Sequence, residues 1–291
     1  MPELPDLIYI KKYLDREIRG RTIVTVAVKQ PVIIRAMIDR PIQDALAGSV
    51  IEEIEQHGPF LRVGLSEGLD VVINLMLAGR LQHQRDRMNP EGYLCFSWVL
   101  DDGTAMNLCD EKKMAKIYVL RHGAASTIPK YGAQGIDILS PGFTREHFRK
   151  IAAAHPRKQV RVVINDHSLL SAIGNAYADE ILFEAGIHPK TFMTRLTPGD
   201  VDRLYDAIRE VIGWGIRKVE EAGQPIHVKV RDHMKVRNRK GEPCPRCGTT
   251  IRREGVRGHD VFFCPRCQPA SRKSFIDWRG APETSPRSKS R

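Results

Sequence analysis

The sequence predicts an α+β chain: an N-terminal helix and an antiparallel β-sandwich or barrel, then a helical region and a cysteine-rich hairpin. Three observations carry this reading. Short apolar strands separated by turns fill much of residues 22–120, and apolar residues switch to helical spacing from Thr144 to about Glu221. Two Cys-Pro-Arg-Cys runs then bracket a segment able to double back on itself. Strands first and helices afterwards is the order of an α+β chain rather than of alternating βαβ units.

The first helix is expected over residues 3–19, where Leu7, Ile10, Leu14 and Ile18 form one stripe. Lys11, Lys12, Arg16 and Arg19 lie off it, and Gly20 ends it. Strands follow at 22–28, 60–65, 69–75, 93–100 and 116–120, with Gly68 and Asp102-Gly103 marking turns. Residues 123–142 carry Gly, Pro and Ser and are expected to link two domains. Helices are expected at 144–154, 158–172, 176–186 and 198–221. The joint Ile173-Gly174-Asn175-Ala176 interrupts two of them, as a helix–turn–helix arrangement requires. A basic connector spans 223–240, a hairpin 241–275, and the Pro/Ser/Arg-rich end at 276–291 reads as a disordered tail.

Composition narrows the function. With 291 residues, 42% of them hydrophobic, the chain can bury a sizeable core in about two domains. No apolar run approaches the roughly 18 residues of a membrane span, and the start MPELPDLIYI lacks a signal peptide's layout. An intracellular protein is expected. The net charge of +11 is unevenly placed: residues 1–213 hold 27 basic and 27 acidic side chains, residues 214–291 hold 19 and 8. Such a basic C-terminal third suits a polyanion partner.

The six cysteines divide into two kinds. Cys95 and Cys109 stand alone in apolar, strand-like surroundings and are expected to fill core space. Cys244, Cys247, Cys264 and Cys267 form two short pairs separated by 16 residues, the spacing of a tetrahedral S4 zinc site. Two disulfides or a redox pair are the alternative, which a reducing compartment disfavours.

Three separated motifs converge on one family. The start Met1-Pro2-Glu3-Leu4-Pro5, the stretch INDHSLLSAIGNAYADEILFEAGIHP at 164–189, and RKGEPCPRCG with FFCPRCQ at 239–268 resemble the bacterial formamidopyrimidine-DNA glycosylases. These are base-excision repair enzymes in the superfamily that includes endonuclease VIII. The resemblance implies an N-terminal helix plus antiparallel β-sandwich over 1–122 and a helix–two-turn–helix domain with its connector over 143–240. It also implies a zinc-finger β-hairpin holding one structural zinc over 241–275. The implied partner is double-stranded DNA carrying a damaged base or an abasic site, bound by a cytoplasmic monomer.

The resemblance also implies a chemistry. Removal of Met1 would leave Pro2 as a secondary amine, and an α-amino group of pKa about 7.7–8 is partly neutral at pH 7. Its attack on C1′ of a deoxyribose expels the base and forms an iminium, which acidifies C2′ and lets the 3′-phosphate leave. Glu3 matches the group that protonates the ring oxygen, and burial is expected to raise its pKa. Asn175 matches a phosphate-binding residue, and Arg161 stands where a phosphate is within reach.

Several positions depart from the family. Pro59 occupies the place of a lysine that contacts the lesion's phosphate, and His259 that of a phosphate-gripping arginine, with Arg257 two residues away. Asp6 replaces a glutamate. The residues that plug the gap left by a flipped base read Lys112-Lys113-Met114, with Leu77 at the wedge position. A charge-assisted hydrogen bond is worth about 1.5–3 kcal/mol, so two lost cations weaken the hold on a flipped nucleotide substantially. Two alternatives therefore stand beside a full glycosylase: a damaged-DNA-binding protein of reduced activity, and a lyase restricted to abasic sites.

Overall fold

The computed structural model describes residues 1–85, 90–256 and 258–270. Arg257, the last five residues expected in the hairpin and the tail at 276–291 lie outside the described residues. Helix α1 spans Leu4–Glu17 and buries Leu4, Leu7, Ile10 and Leu14, as the stripe predicts. It lies against the long helix near the C-terminus of the helical region. Tyr9 Oη donates to the Gln224 carbonyl at 2.8 Å, and Lys12 pairs with Glu220.

Among the described residues, nine strands and a short α-helix follow: β1 (Ile23–Val28), β2 (Ile34–Ala36), α2 (Ile42–Leu46), β3 (Ile51–His57), β4 (Phe60–Leu65), β5 (Leu69–Asn74), β6 (Arg80–Gln84), β7 (Leu94–Leu100), β8 (Ala105–Cys109) and β9 (Lys116–Arg121). They form two sheets, ordered β1-β7-β8-β6 and β2-β9-β5-β4-β3. Pairing is antiparallel except between β2 and β9, which run parallel. The sandwich is antiparallel as expected, with this one short parallel pairing at its edge.

Strands β3 and β6 escape a simple pattern reading for identifiable reasons. A register irregularity between Ile51 and Glu53 places the buried Ile51 and Ile54 three residues apart instead of two. In β6, Gln82 is buried because it exchanges two hydrogen bonds with the backbone of Glu91. Cys95 and Cys109 are both buried, and burial pushes the Cys109 thiol up to about 11, as suits inert core residues.

The helical region comprises α3 (Arg145–Ala154), α4 (Val160–Ile164), α5 (Asn175–Ala185) and α6 (Pro198–Ala222). The helix expected over 158–172 stops at Ile164. Asp166 accepts from the Ser168 amide and hydroxyl, so its side chain satisfies a turn in competition with further helix. Residues 165–174 consequently form an extended loop rather than a tight joint, with Ala172 at φ +60°. Strands β10 (Arg252–Val256) and β11 (His259–Phe263) close the hairpin. Phe262 and Ile251 pack with Phe183 of α5, so the hairpin shares a small apolar cluster with the helical region. Among the described residues, no helix is long and apolar enough to cross a membrane.

Candidate active site

The chain start is fixed by two contacts. The amide of Leu4 donates to the Ala172 carbonyl at 3.0 Å, and the amide of Glu3 donates to Asp6 Oδ2 at 2.8 Å. Asp6 is in turn gripped by both Nη atoms of Arg231, at 2.9 and 2.6 Å. Asp6, where the family has a glutamate, is buried and paired with the connector. Pro2 is buried, and the Met1 amine donates to the Leu77 carbonyl at 3.1 Å. Burial, then the charge of Lys229, pull that amine's pKa down to about 6.

Glu3 is only 7% exposed, yet it is not in an apolar pocket. Its two carboxylate oxygens accept the backbone N–H groups of Ala176 and Tyr177, each at 3.0 Å, at the N-terminus of α5. A helix N-terminus offers unpaired donors and a positive dipole end, which suits a carboxylate. The arrangement requires Gly174, because a Cβ there would meet Glu3 Cδ at 2.3 Å. Burial alone, the environment expected from the sequence, omitted these two donors.

The next turn carries Asn175. Its Oδ1 accepts from Arg161 Nη2 at 3.0 Å and from Asn165 Nδ2 at 2.8 Å. With the oxygen so occupied, Nδ2 has no partner among the described residues and is available to an external acceptor. Arg161 has partners within the chain as well as a place in the cavity wall described below. It is 3% exposed and bonds Asp179 Oδ1 at 3.2 Å, because a carboxylate buried on α5 needs a counter-charge. Arg237 supplies a second one at 2.7 Å. Burial nevertheless pushes the Asp179 carboxyl up to about 6 against both guanidiniums.

A cavity of about 420 Å³ brings these groups together, lined by Met1, Glu3, Leu77, Arg161, Asn175 and His259 among others. Asn165 and His167 also line it, and sequence reasoning did not single them out. Their position in the run leading to Gly174-Asn175 was the available signal. A second cavity of about 260 Å³ lies beyond Leu77 and is lined by Arg80, Lys112 and Lys229 as well as acidic residues. Leu77 lines both cavities and is 55% exposed. Met114 is half-buried, and neither cavity includes it; Asp110 holds its loop through the amides of Lys112, Met114 and Ala115. Pro59 is buried in the β3–β4 turn and does not line the 420 Å³ cavity.

The basic connector is largely committed to internal pairs. Arg231 holds Asp6, Lys235 holds Glu184 together with Arg246 of the hairpin, and Arg239 holds Glu242. Glu180 accepts three successive amides of the connector, from Lys235, Val236 and Arg237, each at 2.9 Å. The charge excess read from the sequence is therefore partly structural.

The four hairpin thiols lie within 4.8 Å of one another. Cys244 Sγ is 3.9 Å from Cys267 Sγ, and Cys247 Sγ is 3.5 Å from Cys264 Sγ. A tetrahedral site with Zn–S of about 2.3 Å needs sulfur separations of about 3.8 Å, so the cluster fits one zinc ion. Amides of Arg246 and Cys267 approach Cys244 and Cys264 at 3.4 Å, as thiolate ligands require.

Comparison with known proteins agrees with this architecture. The formamidopyrimidine-DNA glycosylase N-terminal domain matches residues 1–117, the H2TH domain of the same enzymes 135–224, and the zinc finger found in FPG and IleRS 241–270. The formamidopyrimidine-DNA glycosylase of Pelotomaculum thermopropionicum is 30% identical over 92% of this chain and 99% of its own length. That of Heliobacterium modesticaldum is 33% identical over 92% and 100%. The crystal structure of the MutM (Fpg) protein from Thermus thermophilus superposes with a TM-score of 0.79 at 28% identity, covering 92% of this chain and 98% of that one. Lactococcus lactis Fpg, in a complex with DNA containing an abasic site, shares the fold at a TM-score of 0.84 and 21% identity, covering 92% and 100%. Sequence, fold and metal cluster agree: this chain belongs to the formamidopyrimidine-DNA glycosylase family.

Proposed function

We propose that the chain excises damaged bases from double-stranded DNA and cleaves the strand at the resulting abasic site, with the nitrogen of Pro2 as nucleophile and Glu3 as proton carrier. One observation carries this reading: the chain start, Glu3 and the Asn175 amide meet in one cavity although 172 positions separate Glu3 from Asn175 in the sequence. Removal of Met1 frees the Pro2 nitrogen as a secondary amine. Its lone pair attacks C1′, and the C1′–base bond breaks with its electrons leaving on the base, which takes up a proton. The ammonium proton formed on Pro2 passes to the Glu3 carboxylate, which returns it to the ring oxygen as the C1′–O bond opens. The resulting iminium makes C2′ acidic. Loss of a C2′ proton then expels the 3′-phosphate, leaving a covalent enzyme–sugar adduct for hydrolysis.

Asn175 Nδ2 and His259 line the same cavity and are the groups we assign to the DNA backbone, with Leu77 and Lys112 on the opposite rim. Arg161 supports Asn175 from behind. The zinc ion holds the hairpin that carries His259. Residues 1–122, 143–240 and 241–275 then act as sandwich, helical and hairpin parts of one DNA clamp, in the cytoplasm with the chromosome.

Borohydride trapping on an abasic duplex tests the nucleophile, with mass spectrometry first verifying loss of Met1. The processed protein is expected to form a covalent complex that Pro2→Gly strongly weakens. A processed, DNA-binding protein that forms none would overturn the assignment. A buried Pro59 and a histidine at 259 favour substrates needing little base extrusion, so abasic DNA is expected to react faster than 8-oxoguanine DNA.

A further inference from the structure

The cavity that holds Glu3 and Asn175 is short of free positive charge. Among the described residues lining it, Arg161 is the one lysine or arginine, and it is paired with Asp179. Two imidazoles line it as well: His167, from the loop at 165–174, and His259, from the first position of β11. The loop is pinned where it carries His167. The Gly135 amide donates to the His167 carbonyl at 2.7 Å, and a Cβ on Gly135 would meet the Leu169 carbonyl carbon at 2.2 Å. His167 Nε2 lies 3.1 Å from the Ile173 carbonyl, which only accepts, so Nε2 carries the proton of the neutral ring. Nδ1 then presents a lone pair, with no partner among the described residues. His259 is exposed, and its ring has no partner among them either.

We propose that His167 binds a backbone phosphate of the DNA, and that with His259 it forms a grip that takes up protons as the duplex binds. The inference rests on the reading of this cavity as the DNA-facing site. A phosphate oxygen only accepts, so the lone pair on Nδ1 of the neutral ring repels it; protonation turns Nδ1 into a charged donor. Imidazole is the side chain that makes this change between pH 5 and 8. A bound phosphate favours the protonated ring and so raises its pKa in the complex. The gain in affinity is therefore full below the pKa of the free protein and is lost as pH rises through that of the complex. The carboxylates around the two rings are already satisfied. Glu3 accepts two amides, Asp166 beside His167 is paired with Lys158, and Asp260 beside His259 with Arg253. Arg161 and the terminal amine oppose a further positive charge until a phosphate enters. Lysine or arginine would grip at every pH, whereas two histidines make the hold conditional.

The test is duplex affinity against pH at fixed ionic strength, using the full, zinc-loaded, Met1-processed chain and a duplex carrying a reduced, uncleavable abasic site. The wild-type Kd is expected to rise about tenfold between about pH 6 and about pH 8. Over the same range the slope of log affinity against log salt should flatten by about 0.9 for each phosphate contact given up. His167→Gln keeps a donor for the Ile173 carbonyl but has no titrating ring. It should cut the pH dependence to about threefold, and the double variant His167→Gln with His259→Gln should abolish it. A pH-independent wild-type affinity, or an unaltered pH dependence in His167→Gln, would overturn the proposal. So would an equal loss of affinity at every pH in His167→Gln, the signature of a residue that only shapes its loop. A wild-type protein that binds no duplex at either pH would instead overturn the reading of the cavity as DNA-facing.

Discussion

On the helical side of the 420 Å³ cavity, Arg161 is divided between Asp179 and Asn175, Glu3 is held by two amides, and Gly174 admits no side chain. On the sandwich side, Leu77 projects into solvent, its neighbour Met76 sits at φ +50°, and Lys113 of the facing loop at φ +53°. The first wall is a hydrogen-bonded frame whose groups have one position each. The second is a rim of loops from which Leu77 stands more than half exposed. A glycosylase of this design can fix its reacting groups on one side while the other side meets DNA of varying shape. Precision is needed where bonds are made, since misplacement by an ångström is costly there. Tolerance suits a rim that only has to fill a gap left by an extruded nucleotide.

Substitutions that cut the frame should therefore cost stability, whereas those on the rim should cost function alone. Arg161→Met leaves Asp179 buried with one guanidinium instead of two. We expect a loss of about 3 kcal/mol in urea denaturation, the low end for a broken buried pair because Arg237 remains. A loss below about 0.5 kcal/mol would show that the frame is not held by this pair.

Zinc removal attacks the frame from outside. The hairpin gives Arg161 and Arg237 the Asp260 carbonyl and gives Asp179 the Phe262 amide. Among the described residues, none of the hairpin belongs to the main core cluster, however. Chelation should thus lower duplex affinity at least about tenfold, near 1.4 kcal/mol, while far-ultraviolet circular dichroism keeps most of its helical signal. Retained affinity in metal-free protein would separate the hairpin from DNA binding.

Leu77→Ala probes the rim. The residue is more than half exposed, so stability should change by less than about 0.5 kcal/mol. Single-turnover excision of a paired damaged base should slow, with abasic cleavage little affected. Equal slowing on both substrates would remove Leu77 from the wedge role.

The smallest effect is expected inside the frame. Ala172 adopts a left-handed conformation to present its carbonyl to Leu4. Ala172→Gly relieves that strain at some cost in unfolded-state entropy, for a net gain of about 0.5 kcal/mol measured as a higher Tm. A lower Tm would mean that the methyl group contributes more than the strain removes.

The sequence by itself determined the local and the repetitive. The α1 stripe, the 60–65 strand, the capped start of α6 at Thr197 and the paired cysteines are each decided by neighbours a few residues away. Pro2, Glu3 and Asn175 were singled out by compact motifs and His259 by its departure from one, and the tertiary structure brings the chain start, Glu3, Asn175 and His259 into one cavity. Only the tertiary structure decided the partners of buried charge. Arg161 lies beside Asp179, Arg231 beside Asp6 and Lys229 beside the chain start because residues 18, 225 and about 228 positions apart are folded together. A cation in a sequence has the same charge whether it meets a phosphate or a carboxylate. Burial selects between them, since a desolvated carboxylate such as Asp179 must be paired from within the chain, and that requirement has no local signature.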